Sequence, residues 1–122
     1  FVPEGYDFIP LLESFKKYAG LSQHHKYRNN YDYQLALLIL NKQPYMTNGT
    51  ILVVENRAFH APISQLYFEY YQNRQSVLEQ LQNQESVQCI TGAGFLQFGQ
   101  TQQPGFTDYA DGVDTLKFLR DC

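Results

Sequence analysis

A chain of 122 residues is the size of one compact domain and too short for two substantial hydrophobic cores. Its net charge of −3 comes from charges of both signs scattered along the chain, which argues against nucleic acid and anionic membranes as partners. No apolar run approaches the roughly 18 residues that cross a membrane, and no charged-then-apolar leader is present. Two cysteines, Cys89 and Cys122, are too few for a disulfide framework, so we expect a cytoplasmic protein.

The first 49 residues predict two helices. Apolar residues at helical spacing predict a helix over residues 7–19, with Asp7 as its cap and Gly20 as a left-handed stop. Residues 21–30 are polar and predict a loop, in which His24 and His25 lack the spacing of metal ligands. A second helix over residues 31–40 is apolar all round, which predicts burial on most sides, and residues 47–49 predict a tight turn.

An unbroken apolar run, residues 51–54, predicts a strand covered on both faces within a buried parallel sheet. A polar loop over residues 55–62 follows, and residues 63–71 are rich in aromatic and β-branched side chains, which predicts a second extended segment. Ligands of open α/β sheets bind where loops leave the carboxyl ends of strands. Residues 55–62 are therefore the first place to look for function.

The second half of the chain predicts a β-α-β unit with a right-handed crossover. An amphipathic helix over residues 73–84 leads to a strand over residues 86–90, in which Cys89 is expected to be a buried structural cysteine. Gly92 and Gly94 are turn glycines, because the spacing of a dinucleotide-binding loop is not completed and residues 95–98 predict another short strand.

Three aspartates recur near the end of the chain: Asp108, Asp111 and Asp114. Their spacing does not match a calcium loop, and helix capping explains them better. A last short helix is expected over residues 113–120.

Several strings of the chain resemble a known family. They are Phe98-Gly99 with Pro104-Gly105, the run 108–119 (DYADGVDTLKFL), His24-His25-Lys26-Tyr27 with residues 29–33, Asn48-Gly49, Pro62-Ile63-Ser64 and residues 67–71. Together they resemble the C-terminal end of bacterial acyl-CoA reductases, relatives of the luminescence fatty-acid reductase within the aldehyde dehydrogenase superfamily. The resemblance covers nearly the whole chain.

The resemblance implies a fatty acyl thioester as substrate and NADH or NADPH as reductant. In that superfamily a cysteine thiolate attacks the acyl carbon, and the nicotinamide exchanges hydride with the covalent intermediate. The nucleophile is expected upstream of Phe1, so no catalytic residue is assigned within this sequence. The chain, which begins without Met, is expected to be part of a longer protein, inactive alone and without bound cofactor. The intact protein is expected to bind acyl-CoA, and a homo-oligomer is possible.

Two superfamily loops assign candidate site residues through the resemblance. A Glu-x-Phe-Gly-Pro loop, whose glutamate bonds the nicotinamide ribose, is similar to Glu55, Phe59 and Pro62, although two extra residues separate Glu55 from Phe59 and His60-Ala61 replaces the glycine. This makes Glu55 and Phe59 cofactor-binding candidates, with a solvated carboxylate as the alternative for Glu55. Pro62, together with Phe98 and Gly99 from a second, glycine-rich loop, is a candidate for the substrate pocket.

The predicted fold is one α/β domain, residues 1–122, with a mostly parallel sheet of three or four short strands and about four flanking helices. It resembles the C-terminal half of an aldehyde dehydrogenase-like catalytic domain, with most Tyr and Phe side chains buried. The alternative is a stand-alone module that binds a glycan or peptide through a surface rich in Tyr, Asn and Gln, which predicts an exposed aromatic cluster rimmed by amides.

Overall fold

Short helices and strands alternate irregularly along the chain. The computed structural model describes residues 1–82, 84, 87, 89–109 and 113–121, and the chain forms two units, residues 1–80 and 81–122. In chain order the elements are β1 (Val2–Pro3), α1 (Ile9–Phe15), a 3-10 helix (Lys16–Gln23), α2 (His25–Leu40), β2 (Met46–Thr47), β3 (Leu52–Glu55), β4 (Gln65–Phe68), β5 (Tyr70–Tyr71), α3 (Arg74–Gln82), a second 3-10 helix (Gln100–Gln102) and α4 (Thr115–Arg120). The chain is a mixed α/β protein with small sheets.

The strands of the first unit form two small sheets rather than one. In the larger sheet β3 lies in the middle, antiparallel to β2 and parallel to β4, with Leu52 opposite Gln65 and Glu55 opposite Phe68. In the smaller sheet β1 runs parallel to β5. Parallel pairing therefore predominates, as predicted, but it is divided between two sheets.

The middle strand β3 is buried on both faces, which confirms the prediction for its apolar run. Leu52, Val53 and Val54 are exposed by 0%, 0% and 1%. Leu52 and Val54 pack in one cluster with Tyr31 and Leu38 of α2. On the opposite face Val53 packs with Phe8, just before α1, and with Phe68 of β4; Leu11 and Leu12 of α1 adjoin this cluster. The sheet thus lies between the two helices, because alternate side chains of a strand point to opposite faces.

The parallel pair β3–β4 is joined by residues 56–64, which contain no helix. The sequence instead predicted a helical crossover later in the chain, over residues 73–84. Its helix is confirmed as α3, but residues 86 and 88 of the proposed strand lie outside the described residues, and 87, 89 and 90 carry no strand. Cys89 is exposed, so the prediction of a buried cysteine is wrong.

The first α-helix ends at Phe15, earlier than predicted, and a 3-10 helix follows it. The N-cap residue is Phe8, and Asp7 beside it supports the first turn as expected, since its Oδ1 accepts a 2.9 Å hydrogen bond from the Ile9 amide. After Phe15 the chain continues as a 3-10 helix to Gln23. Gly20 lies inside that helix without a positive φ, so the prediction of a left-handed stop there is wrong.

The second helix, α2, begins at His25, so the prediction of a loop through residue 30 is wrong. Its buried residues are Tyr31 and Leu38, whereas Ile39 and Leu40 are exposed, which also corrects the expectation of burial on most sides. The helix ends in a Schellman motif: Lys42 has φ 54°, its amide donates to the Ile39 carbonyl, and the Gln43 amide donates to the Leu38 carbonyl.

The described part of the second unit consists of short helices joined by turns and irregular segments. Thr91 and Leu96 form a single bridge, so the prediction of a strand over residues 95–98 is wrong, while Gly92 and Gly94 do adopt positive φ in a turn. The Asp114 side chain caps α4 by accepting from the Lys117 amide at 3.0 Å, and Asp108 accepts from the Gly105 amide at 2.8 Å. The Asp114 bond confirms the predicted capping role, whereas the Asp108 bond stabilises a turn and not a helix end, so the prediction is wrong for Asp108. Asp111 lies outside the described residues.

Candidate functional site

One asparagine fixes the amino end of β3. The Asn48 Oδ1 accepts from the Thr50 amide, the Thr50 hydroxyl and the Ile51 amide at 2.9–3.2 Å. Its Nδ2 donates to the Leu12 carbonyl at 3.0 Å, which ties the turn to α1. The turn predicted over residues 47–49 is present, with Gly49 at φ 89°. These hydrogen bonds fix the start of β3, and with it the position of the residues at its carboxyl end.

An open cleft of about 470 Å³ lies where β3 ends. Its residues come from three stretches of the chain: Gln43 and Pro44 after α2, Glu55, Asn56 and Arg57 at the end of β3, and Glu69 and Tyr70 after β4. Two carboxylates, two amides and one guanidinium thus surround a space with an aromatic ring at its side. The cleft lies at the carboxyl ends of the parallel strands, which is where the sequence predicted a site.

Strand pairing explains how these stretches meet. Strand β2 runs antiparallel to β3, with Met46 opposite Val53. The residues that precede β2, Gln43 and Pro44, therefore lie beside the carboxyl end of β3. Because β4 runs parallel to β3, both strands end on the same side, and the Asn56 amide donates to the Phe68 carbonyl at 3.0 Å. The cleft is therefore a direct product of the sheet register.

The three charged side chains of the cleft are not equivalent. Arg57 and Glu69 form an ion pair, with Nε and Oε1 3.5 Å apart, in which the Glu69 side chain is 22% exposed and that of Arg57 88%. Glu55 is exposed, and among the described residues it forms no ion pair and no side-chain hydrogen bond. Its carboxylate oxygens are thus available to a ligand's hydroxyl or amide donors.

Glu55 is the predicted site residue that the structure places in the cleft. Glu55 lines the cleft, whereas Phe59 and Pro62 lie further along the same loop and are not among the cleft residues. The Asn56 side chain shapes the start of that loop by accepting from the Ala58 amide at 2.9 Å. Phe98 and Gly99 belong to the second unit, where the Phe98 ring is 84% exposed and Gly99 has φ 91° before the second 3-10 helix.

Sequence reasoning missed four of the cleft residues: Gln43, Pro44, Glu69 and Tyr70. Glu69 directly follows β4, so it could have been found had β4 been predicted as the parallel partner of β3. Gln43 and Pro44 depend on the antiparallel pairing of a two-residue strand, for which the sequence carries no signal of its own.

Histidines do not contribute a metal centre among the described residues. His24, His25 and His60 are all exposed, and no group of three or more His, Cys, Asp or Glu side chains in the described ranges could hold a metal ion. Nor is any helix in those ranges long and apolar enough to cross a membrane.

Most aromatic side chains lie at the surface. Of the 19 Phe and Tyr residues, three are buried, namely Phe8, Tyr31 and Phe68. The expectation that most of them are buried is therefore wrong. Several exposed rings follow one another in the second unit, where Phe95, Phe98 and Phe106 alternate with glutamines.

Comparison with known proteins found no relative of this chain: no family model, no curated protein and no solved structure matches it.

Proposed function

We propose that this chain is the C-terminal part of an acyl-CoA reductase that converts a fatty acyl thioester to an aldehyde with NADPH or NADH. The proposal rests on the strings that resemble that family, and one structural observation supports it. Glu55, the residue that the resemblance assigns to the cofactor ribose, stands at the carboxyl end of a buried parallel strand and lines an open cleft with its carboxylate unpaired by the described residues.

The chemistry of the cleft suits a ribose. A sugar diol offers two hydroxyl donors, and a carboxylate can accept both, with amides such as those of Gln43 and Asn56 beside it. In the proposed reaction a cysteine thiolate attacks the acyl carbon and expels the thiolate of coenzyme A. A bound nicotinamide would supply the hydride that reduces this enzyme thioester, and release of the cysteine thiolate would free the aldehyde.

This stretch of chain contributes to cofactor binding and not to the covalent step. The nucleophile and the remaining cofactor contacts belong to residues outside positions 1–122, so the chain alone is inactive. We propose a cytoplasmic protein, in keeping with these substrates. Phe59 would contribute to cofactor binding, and Pro62 is the candidate that the first unit offers for the substrate pocket.

The test uses the intact protein that contains this chain. It is incubated with a long-chain acyl-CoA and either NADPH or NADH, and cofactor oxidation, aldehyde formation and the covalent acyl-enzyme are measured. We expect all three, and we expect Glu55→Gln to weaken cofactor binding by about tenfold, since it removes a charge-assisted hydrogen bond. Absence of both turnover and acyl-enzyme would overturn the proposal.

A second candidate function, binding of a glycan or peptide, is favoured by the exposed rings of the second unit. Phe98 and Phe106 are 84% and 105% exposed, and Gln100, Gln102 and Gln103 lie between them in the sequence. Exposed aromatics rimmed by amides are typical of such surfaces. If this function is correct, Phe98→Ala with Phe106→Ala abolishes ligand capture on a glycan or peptide array, whereas Glu55→Gln leaves it unchanged.

A further inference from the structure

Two acidic residues of the cleft, Glu55 and Glu69, can compete for the same partner, Arg57. Arg57 follows Glu55 by two positions, and both line the same cleft, so an arginine side chain is long enough to reach either carboxylate. The structure has Arg57 paired with Glu69 at 3.5 Å, and Glu55 without an ion-pair partner among the described residues.

The difference in burial explains why Arg57 pairs with Glu69. The Glu69 side chain is 22% exposed, so it is held in place between β4 and β5 and is partly shielded from water. Glu55 is exposed, and screening by water and salt weakens any pair that it forms. A fixed, partly shielded carboxylate therefore competes better for the guanidinium.

We infer that Glu69 is a positioning residue for cofactor binding: by holding Arg57, it keeps the Glu55 carboxylate free to accept hydrogen bonds from the hydroxyls of the nicotinamide ribose. The inference rests on the proposed function of Glu55. Without Glu69, Arg57 turns to Glu55 and occupies the oxygens that the ribose needs. The ligand must then displace the guanidinium before it can bind.

The test is a double-mutant cycle in the intact reductase. Fluorescence titration measures the affinity of each variant for NADPH or NADH. Glu69→Gln keeps the shape of the side chain and removes its charge. We expect it to weaken cofactor binding roughly two- to fivefold, the range set by an exposed ion pair. Glu69→Asp, which only shortens the side chain, should have a smaller effect and serves as the second variant should Glu69→Gln fold poorly.

Removal of the arginine should rescue the defect. The double variant Glu69→Gln with Arg57→Gln is expected to bind the cofactor as well as the native protein does, because no guanidinium is left to occupy Glu55. A Glu69 variant that merely loosened the structure would not be rescued in this way. In the Glu55→Gln background, Glu69→Gln should cause no further loss. Glu4→Gln, an exposed glutamate with no ion pair among the described residues, is the matched control.

The outcomes separate the inference from the proposed function. If Glu55→Gln weakens cofactor binding but Glu69→Gln behaves like Glu4→Gln, or if Arg57→Gln fails to rescue it, the inference is overturned and the proposed function stands. If Glu55→Gln binds the cofactor as the native protein does, the inference and the cofactor role of Glu55 are both overturned, whereas the reductase activity itself is decided by turnover and the acyl-enzyme. A Glu69→Gln defect that shrinks in high salt supports the inference, because salt screens the competing pair.

Discussion

The hydroxyl of Tyr27 donates a 2.7 Å hydrogen bond to the carbonyl of Thr50, which joins the first turns of α2 to the start of β3. A neighbouring bond of 2.9 Å links the hydroxyls of Tyr31 and Thr47. Two tyrosines on one helix therefore hold the turn that leads into the buried strand. Burial, and to a smaller extent the neighbouring Tyr31, raises the pKa of Tyr27 above its ordinary value of 10.0.

The raised pKa predicts a loss of stability in alkali. Tyr27 is neutral in the fold and ionises more readily in the unfolded chain, so its contribution is present below the ordinary pKa and is lost as pH rises through the raised one. We expect Tyr27→Phe to cost about 1 kcal/mol of unfolding free energy at neutral pH. Between about pH 9 and pH 11 the variant should lose less stability than the native protein. Urea denaturation at several pH values measures this, and Tyr33→Phe, on an exposed ring, is the control. Parallel stability curves for native protein and Tyr27→Phe would contradict the prediction.

Asn48 should be one of the most sensitive polar positions of the first unit. Replacement by alanine removes one donated and three accepted hydrogen bonds at once, and we expect a loss of about 2–3 kcal/mol in unfolding free energy. Asn48→Asp keeps the acceptors but loses the bond to Leu12, so its cost should be smaller. Chemical denaturation compares the two with Asn29→Ala, an exposed position on α2 that should change little. Equal effects of Asn48→Ala and Asn29→Ala would refute this assignment.

Lys42 is a site at which glycine should stabilise the protein. Its φ of 54° is the left-handed conformation that ends α2, and a side chain there is strained. We expect Lys42→Gly to raise the unfolding free energy by about 0.5–1 kcal/mol. Lys42→Ala removes the charge but keeps the Cβ atom, so it should bring no such gain. A gain of the same size in both variants would mean that charge, rather than backbone conformation, is responsible.

Two large apolar residues near the sheet should respond very differently to truncation. Leu52 is 0% exposed within the α2-facing cluster, and Leu52→Ala should cost about 2–5 kcal/mol because it leaves a cavity. Ile63, on the loop before β4, is 59% exposed, and Ile63→Ala should cost no more than about 0.5 kcal/mol. Thermal and urea unfolding measure both changes. Similar costs at the two positions would show that the sheet is less tightly packed than described.

The middle strand was predictable because its signal is local. Four consecutive aliphatic residues fit a strand covered on both faces, and burial of Leu52, Val53 and Val54 confirms it. The position of Glu55 at the mouth of a cleft followed from the same strand and from the rule on strand ends.

Features that depend on distant partners were not predictable. The first turns of α2 are polar, and their helical state is supported by bonds such as that from Tyr27 to Thr50, 23 positions away. The exposure of Ile39 and Leu40 could not be read from an apolar sequence either. Likewise the contribution of Glu69 to the cleft arises from the pairing of β4 with β3, across a loop that lacks the helix expected of a parallel crossover.

That short crossover also bears on the order in which the protein folds. Leu52 and Gln65, which pair across it, are close neighbours along the chain, whereas the bond from Asn48 to Leu12 spans 36 positions. Closing the shorter segment costs less entropy, so we expect β3 and β4 to associate in the transition state, before α1 docks. Core substitutions in β3 should then mainly slow refolding, and Asn48→Ala should mainly accelerate unfolding, in stopped-flow experiments.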